Sequence, residues 1–224
     1  MLPTISKTEK IAIEAGTVWM DREVFSGKPN FKLMLSQPYA SLSPDEQAFL
    51  DGPVEELCAA VQDWEVWRQN DLPPEVWQML KRHKVFGMII PKSYGGLEFS
   101  ALANSAVVSK LASRSMPLAI TAMVPNSLGP AELLLHYGTE EQKNHYLPRL
   151  ADGREVPCFA LTEPLAGSDA GSLSASGVLF KDEQGQVKLK LNFQKRYITL
   201  AAVSTLIGLA FKLRDPEGIL GRGE

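Results

Sequence analysis

Close to Gly153 the hydrophobic period of the chain changes, and that change limits the fold more than any other feature. Before it, apolar residues recur at three and four: Val54, Leu57, Cys58, Val61 and Trp64 describe one buried face of a longer helix, and Val76, Trp77 and Leu80 restart the pattern after Pro73-Pro74. After it, residues 156–162 form a short apolar run backed by turn residues, while residues 188–191 and 196–200 alternate and carry β-formers. A side-chain period of 3.6 suits a helix face and a period of 2 suits a strand face. The chain is therefore expected to be α+β, with an all-α domain over residues 1–154 followed by β structure over residues 155–224.

Capping residues and prolines mark where the helices start. Ser6 with Glu9 has the pattern of a capping box ahead of Ile11, Ala12, Ala15, Val18 and Trp19 at helical spacing, so a helix is expected there. Ser43-Pro44-Asp45-Glu46 predicts a helix opening at Pro44, because proline fits the first helical position and the acidic pair suits the positive end of the helix dipole. Phe86 to Pro91, followed by Tyr94-Gly95-Gly96, reads as a crossing loop. Ser100 caps an expected helix over residues 101–112, and apolar helices are expected over 117–123 and 131–137. Thr139-Glu140-Glu141-Gln142 is another capping box, opening a short helix that Pro148 limits. No internal repeat is visible.

With 23 basic against 26 acidic residues and a net charge of −3, the chain gives no electrostatic reason to expect nucleic acid or an anionic membrane surface as a partner. Any anionic ligand must be held by local geometry. Cys58 and Cys158 lie in apolar surroundings without zinc or disulfide spacing and read as buried free thiols of a reducing compartment. His83, His136 and His145 lack metal-ligand spacing, so no metal is expected and solvated or capping roles suit them. Packing is the default account of Trp64 and Trp67. The first residues are polar and acidic where an export signal is basic and then apolar, and the longest apolar stretch, Ala201 to Phe211, is too short to span a bilayer as a helix. A cytoplasmic location is expected.

The most informative stretch is Cys158-Phe159-Ala160-Leu161-Thr162-Glu163-Pro164-Leu165-Ala166-Gly167-Ser168-Asp169. A strand ends at Thr162, proline prevents the ladder from continuing, and the turn Ala166-Gly167-Ser168 leaves amides and hydroxyls open to a ligand. Such a turn can cradle a phosphate or a flavin edge. Glu163 and Asp169 fit a role in holding the turn by hydrogen bonds to nearby amides better than a role as an acid/base pair.

The whole string resembles the signature that opens the middle β domain of the acyl-CoA dehydrogenase family. Tyr137-Gly138-Thr139-Glu140-Glu141-Gln142-Lys143, with Tyr146-Leu147-Pro148 and Leu150-Ala151-Asp152-Gly153, is similar to the family's connection between helical and β domains. Ile90-Pro91 with Tyr94-Gly95-Gly96-Leu97 is similar to its first crossing loop. The resemblance covers roughly residues 45–199. The wording at residues 52–57, 124–130 and 195–201 is most similar to the large long-chain enzyme of bacterial fatty-acid β-oxidation.

The resemblance implies FAD as cofactor and an acyl-CoA as substrate. It places Phe159 to Ser168 along the flavin, with backbone near Leu161 at the ring edge and Thr162 near the reactive nitrogen. Gly167 admits the acyl-CoA closely, and Ser168 contacts flavin phosphate and the CoA portion. Tyr197-Ile198-Thr199 matches a Trp-Ile-Thr pattern whose aromatic residue packs on the flavin and whose threonine hydrogen-bonds it. Here tyrosine replaces tryptophan and covers less ring area. Without the family, Phe159, Leu161 and the 197–199 triplet are ordinary strand residues.

Family members remove an α proton with a glutamate while the β hydrogen leaves as hydride to the flavin. That glutamate comes from a C-terminal helical domain, so no catalytic residue is assigned in this chain, which is expected to hold the N-terminal helical domain and only the first part of the middle β-barrel domain. Electron-transfer flavoprotein is the implied electron acceptor, and the complete enzyme is expected to be a homo-oligomer, cytoplasmic or at the inner face of the bacterial membrane. An acyl-CoA oxidase-like flavoenzyme and a non-catalytic helical remnant are the alternatives. The helical region from Ala119 to Leu128, with apolar Met123, Val124 and Leu128, is expected to line the acyl pocket in part.

Overall fold

Proline stands in the first turn of five helices of the computed structural model, at Pro44, Pro53, Pro74, Pro117 and Pro130, where its missing N–H has no intrahelical acceptor to lose. The structure describes Met20, Glu23, Val24 and residues 26–127 and 129–221. These fall into two compact units, one ending at Ser41 and one beginning at Leu42. The first contains helix α1 (Phe31–Leu35), capped by the Asn30 side chain, with no buried residue. The Ser6/Glu9 helix expected from sequence lies outside the described residues.

The second unit opens with α2 (Pro44–Asp51). Its capping box forms as read: Ser43 Oγ accepts from Glu46 N–H, and Glu46 Oε2 accepts from Ser43 N–H at 2.8 Å. The other oxygen, Oε1, accepts at 2.7 Å from the N–H of Ser100, the cap of α6 (Ala101–Arg114). One carboxylate thus satisfies amides at two helix N-termini. The Ser100 amide first, then that of Ser43, lowers its pKa from 4.5 to about 2.

The long helix expected through Val54 to Trp64 is instead two. α3 (Pro53–Ala60) buries Val54 and Leu57 and ends at extended Val61, and α4 (Asp63–Gln69) follows. The break has a tertiary cause: Arg114 Nε donates to the carbonyls of Cys58 and Val61 at 3.1 and 2.9 Å, capping the end of α3. Val61 keeps its place in the core, whereas Trp64 does not. It lies 66% exposed, stacked on Trp67 with ring centroids 5.0 Å apart. Cys58 is only partly buried, while Cys158 is buried, and both are free thiols.

α5 (Pro74–Arg82) buries Val76 and Leu80 and leads into the crossing loop, two 3-10 turns at Val85–Gly87 and Lys92–Tyr94. Three main-chain bonds close this loop, from Leu97 to Gly87, Glu98 to Ile90 and Phe99 to Met88. Gly96 is required there, because a Cβ would lie 2.0 Å from the Ile90 carbonyl oxygen. α7 (Met116–Met123), α8 (Pro130–Tyr137) and α9 (Glu140–Ala151) complete the helical layer. The Thr139/Gln142 capping box forms, but α9 runs through Pro148 for another turn. Burial of Leu147, Leu150 and Ala151 beside Ile90 and Ala131 outweighs the lost main-chain bond.

The main core lies among α2 to α7 and takes Val156 from the segment beyond. The β part comprises β1 (Pro157–Ala160), β2 (Ser176–Lys181), β3 (Val187–Asn192), β4 (Leu206–Leu209) and β5 (Lys212–Arg214). β1 pairs in parallel with β4, Phe159 opposite Gly208. β2 is central in a second sheet, antiparallel to β3 and parallel to β5. Residues 188–191 lie in β3 as expected. The strand expected over 196–200 is absent, and that segment is irregular. Among the described residues no helix is long and apolar enough to cross a membrane.

Candidate functional site

β1 leads the chain out of the helical layer and ends at Ala160, whose carbonyl accepts from Ala210 N–H at 3.1 Å. Leu161 N–H turns back to the Phe159 carbonyl, and Glu163 and Ala166 exchange main-chain bonds of 2.9 and 3.3 Å. Pro164-Leu165 forms the tip of this tight turn, with Leu165 almost fully exposed.

The Glu163 side chain is buried and its carboxylate accepts four hydrogen bonds. Ser174 donates its N–H at 2.6 Å and its hydroxyl at 2.7 Å, Ala175 its N–H at 3.0 Å and Lys195 its Nζ at 2.8 Å. The Lys195 ammonium, then the Ser174 amide, lowers the pKa from 4.5 to about 2. This residue holds the turn in place, but through amides 11 and 12 residues on and not the nearby ones expected. Asp169 does so differently: its carboxylate accepts the hydroxyl of Ser172, not an amide.

Lys195 makes a second bond, donating at 3.0 Å to the Leu161 carbonyl, and Arg196 N–H donates at 3.0 Å to the Thr162 carbonyl. Two segments more than thirty residues apart in sequence are thereby laced side by side. Beyond the lacing, Tyr197 and Leu200 have φ of 57° and 65°, in the left-handed region that non-glycine residues seldom occupy. These two residues turn the chain where a strand was expected.

The structure brings Leu161 and Thr162 together with the segment bearing Tyr197, Ile198 and Thr199. Phe159 is drawn elsewhere, its ring lying over Gly208 and close to Pro130, where a Cβ on Gly208 would come within 2.9 Å of it. Gly167 and Ser168 are exposed, and a Cβ on Gly167 would meet nothing within 4 Å. Among the described residues no main-chain bond satisfies the amides of Gly167, Ser168 and Asp169. Among the described residues the hydroxyls of Thr162, Ser168 and Thr199 likewise have no partner within the chain. Tyr197 is 76% exposed, with the Arg196 guanidinium 4.5 Å from its ring centroid.

Ile198 lines an apolar cleft of about 430 Å³ together with Trp67, Trp77, Pro117, Thr121 and Leu200. Helix α7 contributes Pro117 and Thr121 to this cleft, and neither Met123 nor Val124 lines it; Leu128 lies outside the described residues. Of the histidines, His83 meets Glu56 and His136 meets Glu132, while His145 packs edge-on against Tyr146. The residue that sequence reading passed over is Lys195. Its only signal is a cation two places before the aromatic residue.

Residues 44–154 match the model of the acyl-CoA dehydrogenase N-terminal domain, and the chain belongs to the acyl-CoA dehydrogenase family. A Bacillus subtilis (strain 168) protein named acyl-CoA dehydrogenase is 29% identical over 150 residues, 67% of this chain and 38% of that protein. The caffeyl-CoA reductase-Etf complex subunit CarC of Acetobacterium woodii is 37% identical over 146 residues, 65% of this chain and 37% of that protein. A solved glutaryl-CoA dehydrogenase from Mycobacterium smegmatis in complex with FADH2 shares the fold with a TM-score of 0.65 at 23% identity, over 88% of this chain and 47% of that one. The chain spans less than half the length of each.

Proposed function

We propose that this chain supplies the helical domain, residues 1–154, and the opening of the middle domain, residues 155–224, of an enzyme that uses FAD to dehydrogenate acyl-CoA thioesters between the α and β carbons. The observation that carries the reading is a set of polar groups with no partner among the described residues. They are the hydroxyls of Thr162, Ser168 and Thr199 and the amides of residues 167–169, on two segments held side by side. Polar groups gathered in this way fit a ligand with both a polar ring edge and phosphates. The open space beside Gly167 leaves room for its close approach.

Bound FAD supplies the hydride acceptor. The chain's own residues bind and orient. Thr162 and Thr199 offer hydroxyls to the ring's heteroatoms, and the exposed Tyr197 ring offers a stacking face opposite Arg196. The amides of Gly167 and Ser168 donate to phosphate, and Ser168 also meets the CoA portion. No residue here is assigned as the base. Medium to long acyl chains, fatty-acid β-oxidation, electron-transfer flavoprotein as acceptor and a homo-oligomeric complete enzyme complete the proposal. The Etf complex to which the Acetobacterium relative belongs by name supports such a partner.

A second reading has that relative's name in its favour: reduction of an enoyl-CoA, the same bond chemistry in the opposite direction. Equilibrium titration of the chain with FAD, followed by flavin fluorescence, tests the shared step. With Tyr197, Gly167 and Ser168 exposed, binding is expected to be weak, with a Kd above about 1 μM. No saturable binding up to millimolar FAD would refute the reading, and tight stoichiometric FAD would refute the expectation of an open site.

A further inference from the structure

The ion pair between Lys195 and Glu163 is the most buried one among the described residues, its side chains 5% and 2% exposed, and nothing in the proposed chemistry uses its charge. A buried ammonium loses much hydration, which only well-placed partners restore. Here the partners come from three segments. Glu163 gathers Ser174 and Ala175 at the entry to β2, while Lys195 divides its donors between that carboxylate and the Leu161 carbonyl. The adjacent Arg196 N–H then reaches the Thr162 carbonyl. Immediately afterwards the chain enters the left-handed conformation at Tyr197, which persists only where its surroundings hold it.

We propose that Lys195 is a positioning residue: its ammonium, seated on Glu163 and the Leu161 carbonyl, sets the spacing between the Leu161–Thr162 backbone and the Tyr197–Thr199 segment, and so the width of the flavin site. The inference rests on the flavin reading above. A hydroxyl on Thr162 and one on Thr199 can bond one rigid ring system only if their separation is fixed, and the lacing at residues 161–163 and 195–196 is what fixes it. Lysine suits the task because a compact ammonium on a flexible stem can split its donors between a carbonyl and a carboxylate.

The test uses the full chain and the double variant Glu163→Gln/Lys195→Met. Removing both charges leaves no unpaired buried ion, and the single amide oxygen of the introduced glutamine keeps an acceptor for the Ser174 amide though not for the Ala175 amide, which bonds the other carboxylate oxygen. The double variant therefore disturbs the fold less than Lys195→Met alone, which strands a buried carboxylate. Two readouts are taken. In the flavin-free chain, hydrogen exchange at the Arg196 amide is expected to accelerate at least tenfold, with the helix amides unchanged. On FAD titration, the Kd is expected to rise at least tenfold and the visible flavin absorbance of the bound state to differ from that of the parent. Unchanged exchange at Arg196 would overturn the lacing whatever the flavin does. Faster exchange with unaltered FAD affinity and absorbance would overturn the positioning role while leaving the flavin reading intact. If the parent chain binds no FAD, the flavin reading fails and takes this inference with it. A separate Lys195→Arg variant, whose guanidinium cannot split its donors in the same way, is expected to keep the charge but not the absorbance of the parent.

Discussion

Replacing Asn126 by alanine should cost more than any exposed substitution nearby, and the structure supplies the size. The Asn126 side chain is buried and makes three bonds: Nδ2 donates to the carbonyls of Val85 and Ala122 at 2.6 and 2.8 Å, and Oδ1 accepts from Ile89 N–H at 3.2 Å. Two of these reach the crossing loop, whose Val85 is fully buried and Ile89 half-buried. Alanine leaves both loop groups unpaired. At about 1–3 kcal/mol for each unsatisfied buried group, discounted at Ile89 because water reaches it, the loss is about 2–4 kcal/mol. For a unit of this size that corresponds to a fall in Tm of roughly 4–16 °C. Urea and thermal unfolding of Asn126→Ala against the parent measure it, with Ser127→Ala, an exposed hydroxyl bonded to the Val124 carbonyl, as a control expected within about 0.5 kcal/mol. A loss below about 1 kcal/mol would mean that the loop finds other partners and that Asn126 does not hold it.

The Glu46 carboxylate, lowered to about 2 in the folded chain against 4.5 ordinarily, contributes stability above pH 4.5 that is lost as the pH falls toward 2. Urea midpoints between pH 7 and 2 should therefore fall less steeply in Glu46→Gln than in the parent below pH 4.5, and parallel curves would contradict the assignment. In an FAD titration, Thr162→Ala removes one neutral hydrogen bond and should weaken binding about two- to tenfold, or about 0.5–1.5 kcal/mol. Ser168→Ala should act on FAD and acyl-CoA affinity together, and an effect on neither would remove Ser168 from the site.

Local signals in the sequence were legible and distant ones were not. Ser43 with Glu46 and Thr139 with Gln142 cap their helices because the partners sit three residues apart, whatever the rest of the chain does. Glu163 was readable as a holder of its turn but its partners were not, since the Ser174 and Ala175 amides lie 11 and 12 residues on and Lys195 lies 32 residues away. The break at Val61 was not readable, since it depends on Arg114, 53 residues away. Pro148 misleads because its penalty is local and the burial of Leu147 and Leu150 that outweighs it is not. Residues 196–200 have β-forming side chains, yet the bonds from Lys195 and Arg196 to residues 161–163 bend them out of a strand. Trp64 followed the helical period as far as sequence could show, and only the new axis of α4 turns it outward.

The site lies on the part of the unit with the thinnest core. Every residue of β3 and β5 is exposed, and the two hydrophobic clusters take only Val156 as a buried member from beyond residue 154. Segments with few buried contacts open locally at low free energy, well before the helices unfold. The geometry around Leu161, Thr162 and Tyr197 therefore depends on polar lacing more than on packing, and a ligand bridging the two segments adds to it directly. A ligand that binds only the closed site suppresses each opening that dismantles it by the factor 1 + [L]/Kd, about a hundredfold when FAD is present at 100 times its Kd. Hydrogen exchange at the Arg196 amide should slow by that factor on adding FAD. Fraying at the ends of α4, which leaves the site intact, should continue at its former rate. Equal slowing at both places would mean that FAD stabilises the whole unit without acting on the laced segments, and no slowing at Arg196 would place the ligand somewhere else on the chain.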